Sequence, residues 1–165
     1  MNIHQIAQYV VLYCNLNGIE ISHLKLQKLL YYIQSWHLVY YERSLIFDDV
    51  PEAWLNGPVY TSIYADYFHI KCFKMNDFIT IDKDQIEMEK DFTYLNELLS
   101  DKAELVDTVL LRYSTLSAEK LVLLTHCELP WNKAREKCKD LSCKGKISLD
   151  DMYFYYNSLI KMNES

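Results

Sequence analysis

Glycine and proline are scarce, with three of each in 165 residues. Few tight turns are therefore available, which argues against a many-stranded sheet and for helices. The glycines, Gly18, Gly57 and Gly145, stand apart, so no Gly-rich loop exists to cradle a phosphate. No apolar run approaches the ~20 residues that span a bilayer. The opening Met1-Asn2-Ile3-His4-Gln5 has neither a basic n-region nor a small-residue cleavage site. Basic clusters are missing too. The formal charge is −6, from 17 Lys and Arg against 23 Asp and Glu, which disfavours nucleic acid as the main partner. Five cysteines, odd in number and irregularly spaced, fit a reducing compartment better than a disulfide framework. A cytoplasmic protein without membrane contact is expected.

What is present is a globular composition. Apolar residues make up 50% and charged ones 24%, enough apolar content to build a core and exclude disorder. Fourteen tyrosines supply large contact areas with polar tips, suited to wet-edged cores and to binding surfaces, homodimeric ones included. The expected architecture is mainly α: a compact multi-helix single domain over residues 1–165, with a short β-ribbon inserted between helices.

The helical period carries most of the chain. Ile3, Ile6, Ala7, Val10, Val11 and Cys14 predict a first helix to about Leu16, with Gly18 just beyond its end. Ser22 caps a second helix to about Tyr41, whose apolar side is Leu26, Leu29, Leu30, Ile33 and Trp36/His37. Lys25, Gln27 and Lys28 fall between these positions and are expected on the opposite face or its margins. Leu45–Phe47 and Glu52–Trp54 suggest a ribbon around Pro51, and Gly57-Pro58 a turn of fixed geometry. Thr61 caps a short helix carrying Ile63, Tyr64, Tyr67 and Phe68. Phe78–Ile81 suggests a third strand. Further helices follow. One carries Phe92, Leu95 and Leu99, and another, capped by an Asp101–Glu104 arrangement, carries Leu105, Val109 and Tyr113. A third is capped by Ser117 and stapled by Leu116 and Leu121, ending near Thr125-His126. The next opens at Pro130 and runs to about Lys139. Gly145-Lys146 reads as a loop, and Ser148 with Asp151 starts the last helix.

Catalytic and metal-binding constellations are weak. His126, Cys127, Cys138 and Cys143 lack the paired spacing of structural zinc, and ordinary thiols are the expected reading. Cys127 with His37 has no flanking nucleophile motif. Asp48-Asp49 and Asp150-Asp151 sit where aspartates serve caps and turns. No catalytic residue, metal or cofactor is assigned. His126 follows a helix end, where a protonated imidazole is favoured by the dipole and can bond the last carbonyls.

Three strings carry a resemblance: LKLQKLLYYIQSWH from Leu24, PEAWLNGPVYTSIYADY from Pro51, and Leu116 through Thr125-His126 to Pro130-Trp131. The chain resembles the Panacea-domain family, which includes phage-associated proteins and SocA-like antitoxins. The family pattern is Leu-Lys-Leu-Gln-Lys-Leu-Leu-Tyr, then Ala-Trp-x-x-Gly-Pro-Val, then Thr-His-x-x-x-Pro-Trp. Here these are Leu24–Tyr31, Ala53–Val59 and Thr125–Trp131. The resemblance implies a non-enzymatic antitoxin that neutralises a cognate protein toxin by direct binding. A role as adaptor to a cytoplasmic protease is also implied. Partner-binding or motif candidates are Lys25, Gln27, Lys28, Tyr31, Trp36, Trp54, Gly57, Pro58, Tyr64, His126, Pro130 and Trp131. The alternatives are a phage-associated regulator, or an enzyme of unrecognised type using His126 with a polar residue near Trp54.

Overall fold

The computed structural model describes residues 1–67, 77–136 and 138–163. The element order is α1 (Ile3–Leu16), α2 (His23–Tyr40), β1 (Glu52–Trp54), β2 (Gly57–Val59), α3 (Thr61–Asp66), α4 (Gln85–Leu99), α5 (Ala103–Tyr113), α6 (Ala118–Cys127), α7 (Leu129–Glu136), β3 (Gly145–Lys146) and α8 (Leu149–Asn163). The mainly helical fold with a small inserted sheet is as the sequence predicts.

Local chemistry accounts for the boundaries. Asn2 and Gln5 form a capping box at the start of α1. At its end Ile19 N–H reaches the Cys14 carbonyl and Gly18 N–H the Asn15 carbonyl, with Gly18 at φ +64°. That pair of bonds is a Schellman stop, and the positive φ is why glycine sits there. Ser22, Asp84 and Ser117 cap α2, α4 and α6 through their side chains.

Helix α2 is the axis of the molecule. It packs against α1, α5, α6, α8 and β2, so it has no outward face over most of its length. Lys25, Gln27 and Lys28 are consequently buried, contrary to the expectation that they project outward. An amphipathic sequence placed at the centre of a bundle must find internal partners for its polar side chains. They find them in loop backbone. Gln34 accepts from Ile46 N–H (3.1 Å) and donates to the Phe47 carbonyl (2.9 Å). This amide takes the place of a strand neighbour, so Leu45–Phe47 is loop instead of strand. Gln27 does the same for Tyr60, accepting from its N–H (2.7 Å) and donating to its carbonyl (3.3 Å).

The sheet also differs from expectation. Its order is β2-β1-β3, antiparallel, with Glu52 opposite Val59 and Ala53 opposite Pro58. The hairpin turns at Leu55-Asn56, and Pro51 precedes it. Pro58, lacking an N–H, lies on an edge strand where no further ladder bond is missed. Gly145-Lys146 is the third strand, not a loop, and pairs with Glu52 and Ala53. Phe78–Ile81 contributes one isolated bridge to Ser22, with Ile79 N–H on the Ile21 carbonyl (2.7 Å). Thr61 is the first residue of α3 and caps nothing, while Phe68 lies outside the described residues. Between α4 and α5 a 3-10 turn, Ser100–Lys102, replaces the expected Asp101 cap. Asp101 instead offers its carbonyl to the Tyr41 hydroxyl (2.8 Å). The buried face of α5 is Val106, Val109, Leu110 and Tyr113, rotated slightly from the predicted one.

Candidate functional site: a buried lysine beneath the Gly-Pro hairpin

The three motif strings meet at the end of the molecule where α2, the β1–β2 hairpin, α6 and α7 converge. Lys28 is fully buried, and its Nζ donates to the Pro58 carbonyl at 2.8 Å. It forms no ion pair among the described residues. Desolvation lowers its pKa from the ordinary 10.5 to about 7, because burial penalises the ammonium. Gly57 lies against it at φ +96°; a Cβ there would stand 2.6 Å from Lys28 Cε and 2.8 Å from Thr125 Oγ1. The glycine is required by both angle and space. Thr125 is itself buried and bonds back to the Val122 carbonyl (2.9 Å).

His126 and Trp131 cover this arrangement. Their rings stack at 4.0 Å between centroids, and Trp131 Nε1–H donates to the Trp54 carbonyl at 3.0 Å. Burial, then the charge of Lys28, lowers the His126 pKa, against an opposing contact with the Leu55 backbone. The protonated capping imidazole expected from sequence is thus disfavoured. The carbonyls at the end of α6 are met instead by Asn132, whose amide donates to His126 O (2.7 Å) and Glu128 O (2.9 Å). Pro130 is buried in the first turn of α7. Arg135, which the sequence did not single out, donates to the carbonyls of Ala53 (3.1 Å) and Cys143 (2.6 Å) and so ties β1 to the following loop.

On the solvent side of the hairpin lies a predominantly apolar pocket of about 230 Å³, lined by Trp54, Leu55, Val59 and Tyr64, by His23, Leu24 and Gln27 of α2, and by Leu141–Lys144. Trp54 Nε1–H is held by Glu52 (2.7 Å), its ring tilts on Tyr64 (4.8 Å), and Lys144 Nζ stands 3.9 Å over it. Cys138 and Cys143 form a disulfide at the base of this loop, with Cα atoms 5.4 Å apart. The chain folds back over their five-residue separation, so these two are not the free thiols expected. Among the described residues no group of three His, Cys, Asp or Glu could hold a metal ion.

The other candidates fall elsewhere. Lys25 Nζ donates to the Glu20 carbonyl (2.8 Å) at the start of α2. Tyr31 and Trp36 belong to an aromatic group around Tyr156, edge-on at 6.2 and 5.1 Å. Beside that group stands Glu128, a residue missed in the sequence. It is buried and accepts from Tyr32 (2.9 Å) and Tyr156 (2.7 Å). Desolvation raises its pKa from 4.5 to about 7, although both hydroxyls pull it down. Its sole sequence signal is position, three residues after Thr125 and two before Pro130 in the third motif.

The family model for the SocA-like antitoxin Panacea domain matches residues 26–132. No curated protein and no solved structure gives a significant match. The matched segment runs from α2 through α7 and contains Lys28, Gly57, Thr125, His126 and Trp131. The chain therefore belongs to the SocA-like antitoxin, Panacea-domain family.

Proposed function

We infer that this chain is an antitoxin that neutralises a cognate protein toxin by direct binding, with residues 1–165 acting as one domain. The observation that carries the reading is the family match across the segment that builds the hairpin site. Helices α1 and α8 lie outside that segment, yet both pack on α2 and share its core, which supports treating the whole chain as the binding unit.

The geometry suits a scaffold better than a reaction centre. Lys28, Thr125 and Gln27 spend their polar atoms on the protein's own backbone. His126 lies stacked on Trp131, and the charges nearest its ring are the cations Lys28 and Arg135. These side chains hold the hairpin in place, and what the hairpin offers outward is its tip, where Leu55 is 49% exposed. We propose Leu55 and Leu141, two exposed leucines beside the pocket, as the contact face for the toxin, because exposed apolar side chains favour protein contacts. Delivery of the bound toxin to a cytoplasmic protease is the further step we propose for this family fold.

Co-expression with the product of the adjacent gene tests this. Growth should be rescued and a complex should co-purify. With a toxic neighbour confirmed, failure of both results ends the antitoxin reading. Addition of purified chain to toxin and an ATP-dependent protease separates sequestration from adaptor action. Only an adaptor accelerates proteolysis. DNA binding with a steep salt dependence would favour the phage-regulator alternative.

A further inference from the structure

One wall of the hairpin pocket is a loop closed by a covalent bond. Cys138 and Cys143 are joined across five residues, with Cα atoms 5.4 Å apart. They are two of the five cysteines in the chain, of which Cys14 is a buried thiol and Cys127 an exposed one. Two properties set this bond apart from a structural brace. A loop this short constrains the unfolded chain least, so the cross-link contributes little to folding. Both cysteines are also partly exposed, and Lys139, Asp140, Leu141, Ser142 and Lys144 around them are exposed outright. An attacking thiolate can therefore reach the sulfurs, and exposed disulfides are the labile ones.

The loop has other means of keeping its shape. Arg135 donates to the carbonyls of Cys143 (2.6 Å) and Asp140 (3.4 Å) while also holding Ala53 of β1 (3.1 Å). The Asp140 carboxylate accepts from the Ser142 N–H (2.9 Å) and hydroxyl (2.6 Å), and Cys138 N–H donates to the Arg135 carbonyl (2.9 Å). These bonds keep the two sulfurs near one another after reduction, so closure is an intramolecular step between oriented groups. The reduced form gains a partner of its own. Cys138 Sγ lies 3.8 Å from the Ala134 carbonyl, an acceptor that an S–H can use and a disulfide sulfur cannot. A lysine follows each cysteine, Lys139 and Lys144, and such neighbours favour the thiolate through which exchange proceeds.

The pocket registers the state of this bond. Leu141, Ser142, Cys143 and Lys144 line it together with Trp54, and Lys144 Nζ stands 3.9 Å over the Trp54 ring. Strand β3 begins at Gly145 and is anchored by its pairing with Glu52 and Ala53. Freedom gained on reduction is thus confined to the stretch between α7 and β3.

We propose that Cys138 and Cys143 are a reversible thiol–disulfide exchange site, and that reduction frees the Leu141–Lys144 wall and lifts Lys144 from Trp54. The reductant is a dithiol. One of its thiolates attacks a sulfur of the pair to give a mixed disulfide, and its second thiolate resolves that bond. Cys138 and Cys143 leave as thiols, the reductant becomes a disulfide, and two electrons and two protons pass to the protein. Oxidised glutathione reverses the step, leaving as two molecules of reduced glutathione. The inference goes beyond the antitoxin reading and does not depend on it.

The test equilibrates the full-length, isotope-labelled chain in glutathione buffers from fully oxidised to fully reduced. Acid-quenched alkylation with peptide mapping follows the thiols. Cys138 and Cys143 should be protected together in oxidised buffers and alkylated together in reduced ones, across a roughly hundredfold change in [GSH]²/[GSSG], as two-electron exchange requires. The Trp54 indole N–H, assigned by Trp54→Phe, should shift in step with that fraction. Trp36, which packs on Tyr156, should stay still. Changing both cysteines, Cys138→Ser with Cys143→Ser, should fix the Trp54 signal at its reduced position in every buffer, and the wild-type titration stands even if that variant fails to fold. Thiols that remain alkylatable in oxidised glutathione overturn the proposal. So does a disulfide that survives fully reduced glutathione, which is a structural brace, and so does an oxidation product linking Cys127 of two chains instead. A Trp54 signal that stays put while the pair titrates also overturns it. Trp36 moving with Trp54, alongside loss of helical circular dichroism, does the same, because the protein then unfolds instead of opening locally.

Discussion

Replacing Gly57 by alanine isolates the contact on which the hairpin site depends. The new Cβ would sit 2.6 Å from Lys28 Cε and 2.8 Å from Thr125 Oγ1, at φ +96°. The backbone angle alone costs ~1–2 kcal/mol for an L-residue. Overpacking adds ~1–3 kcal/mol. Lys28 can retreat only by giving up its bond to the Pro58 carbonyl, which strands a buried amine at a similar cost. Thr125, short and held by Val122, has little room to yield. The sum is ~2–5 kcal/mol, or roughly 4–20 °C in melting temperature for a chain of this size. Gly18→Ala is the control. Its φ is +64° with nothing within 4 Å, so only the angular cost of ~1 kcal/mol applies. Thermal melts by circular dichroism compare the two. Removing the Lys28 side chain in the Gly57→Ala background should recover part of the loss, a coupling of ~1 kcal/mol or more. Equal melting temperatures for the two alanine variants, or strict additivity with Lys28→Ala, would refute the close-approach argument.

Three further outcomes follow from the buried polar groups. Lys28 has its pKa lowered to about 7, so the unfolded chain binds more protons between pH 7 and 10.5 and the lysine's contribution to stability rises with pH there. Chemical denaturation of Lys28→Met against wild type from pH 7 to 9.5 should show that slope lost in the variant. Glu128 behaves oppositely. Its raised pKa means the folded protein holds the extra proton between pH 4.5 and about 7, so its contribution falls as pH rises through that window. Glu128→Gln should abolish this fall, measured the same way. Tyr156→Phe removes one of the two hydroxyls on that carboxyl, and should cost ~1–2 kcal/mol and drive the Glu128 titration higher, followed by its carboxyl carbon resonance. Leu55→Asp at the exposed hairpin tip should leave melting within ~0.5 kcal/mol of wild type, while toxin rescue is lost.

Much of the architecture is legible in local chemistry. The Ile3–Cys14 stripe with Gly18, the Ser22 and Ser117 caps, and the Leu116–Leu121 pair each mark an element that forms where they indicate. These signals act over three or four residues, which is the range of helical hydrogen bonds and of side chains one turn apart. The motif strings likewise announced the family, because residue types at set spacings survive in sequence. What sequence periodicity could not give was which helix is central. Lys25, Gln27 and Lys28 read as an outer face until α1, α5, α6, α8 and the hairpin close around α2 and turn them inward. The strand partners were hidden for the same reason. Gly145-Lys146 joins Glu52-Ala53 across some ninety residues, and the Gln34 amide displaces a strand at Leu45–Phe47. The raised carboxyl of Glu128 and the disulfide of Cys138 with Cys143 depend on neighbours brought in from elsewhere or on how a loop folds back. Desolvation and hydrogen-bond satisfaction are properties of the packed interior, and a sequence alone carries them only as composition.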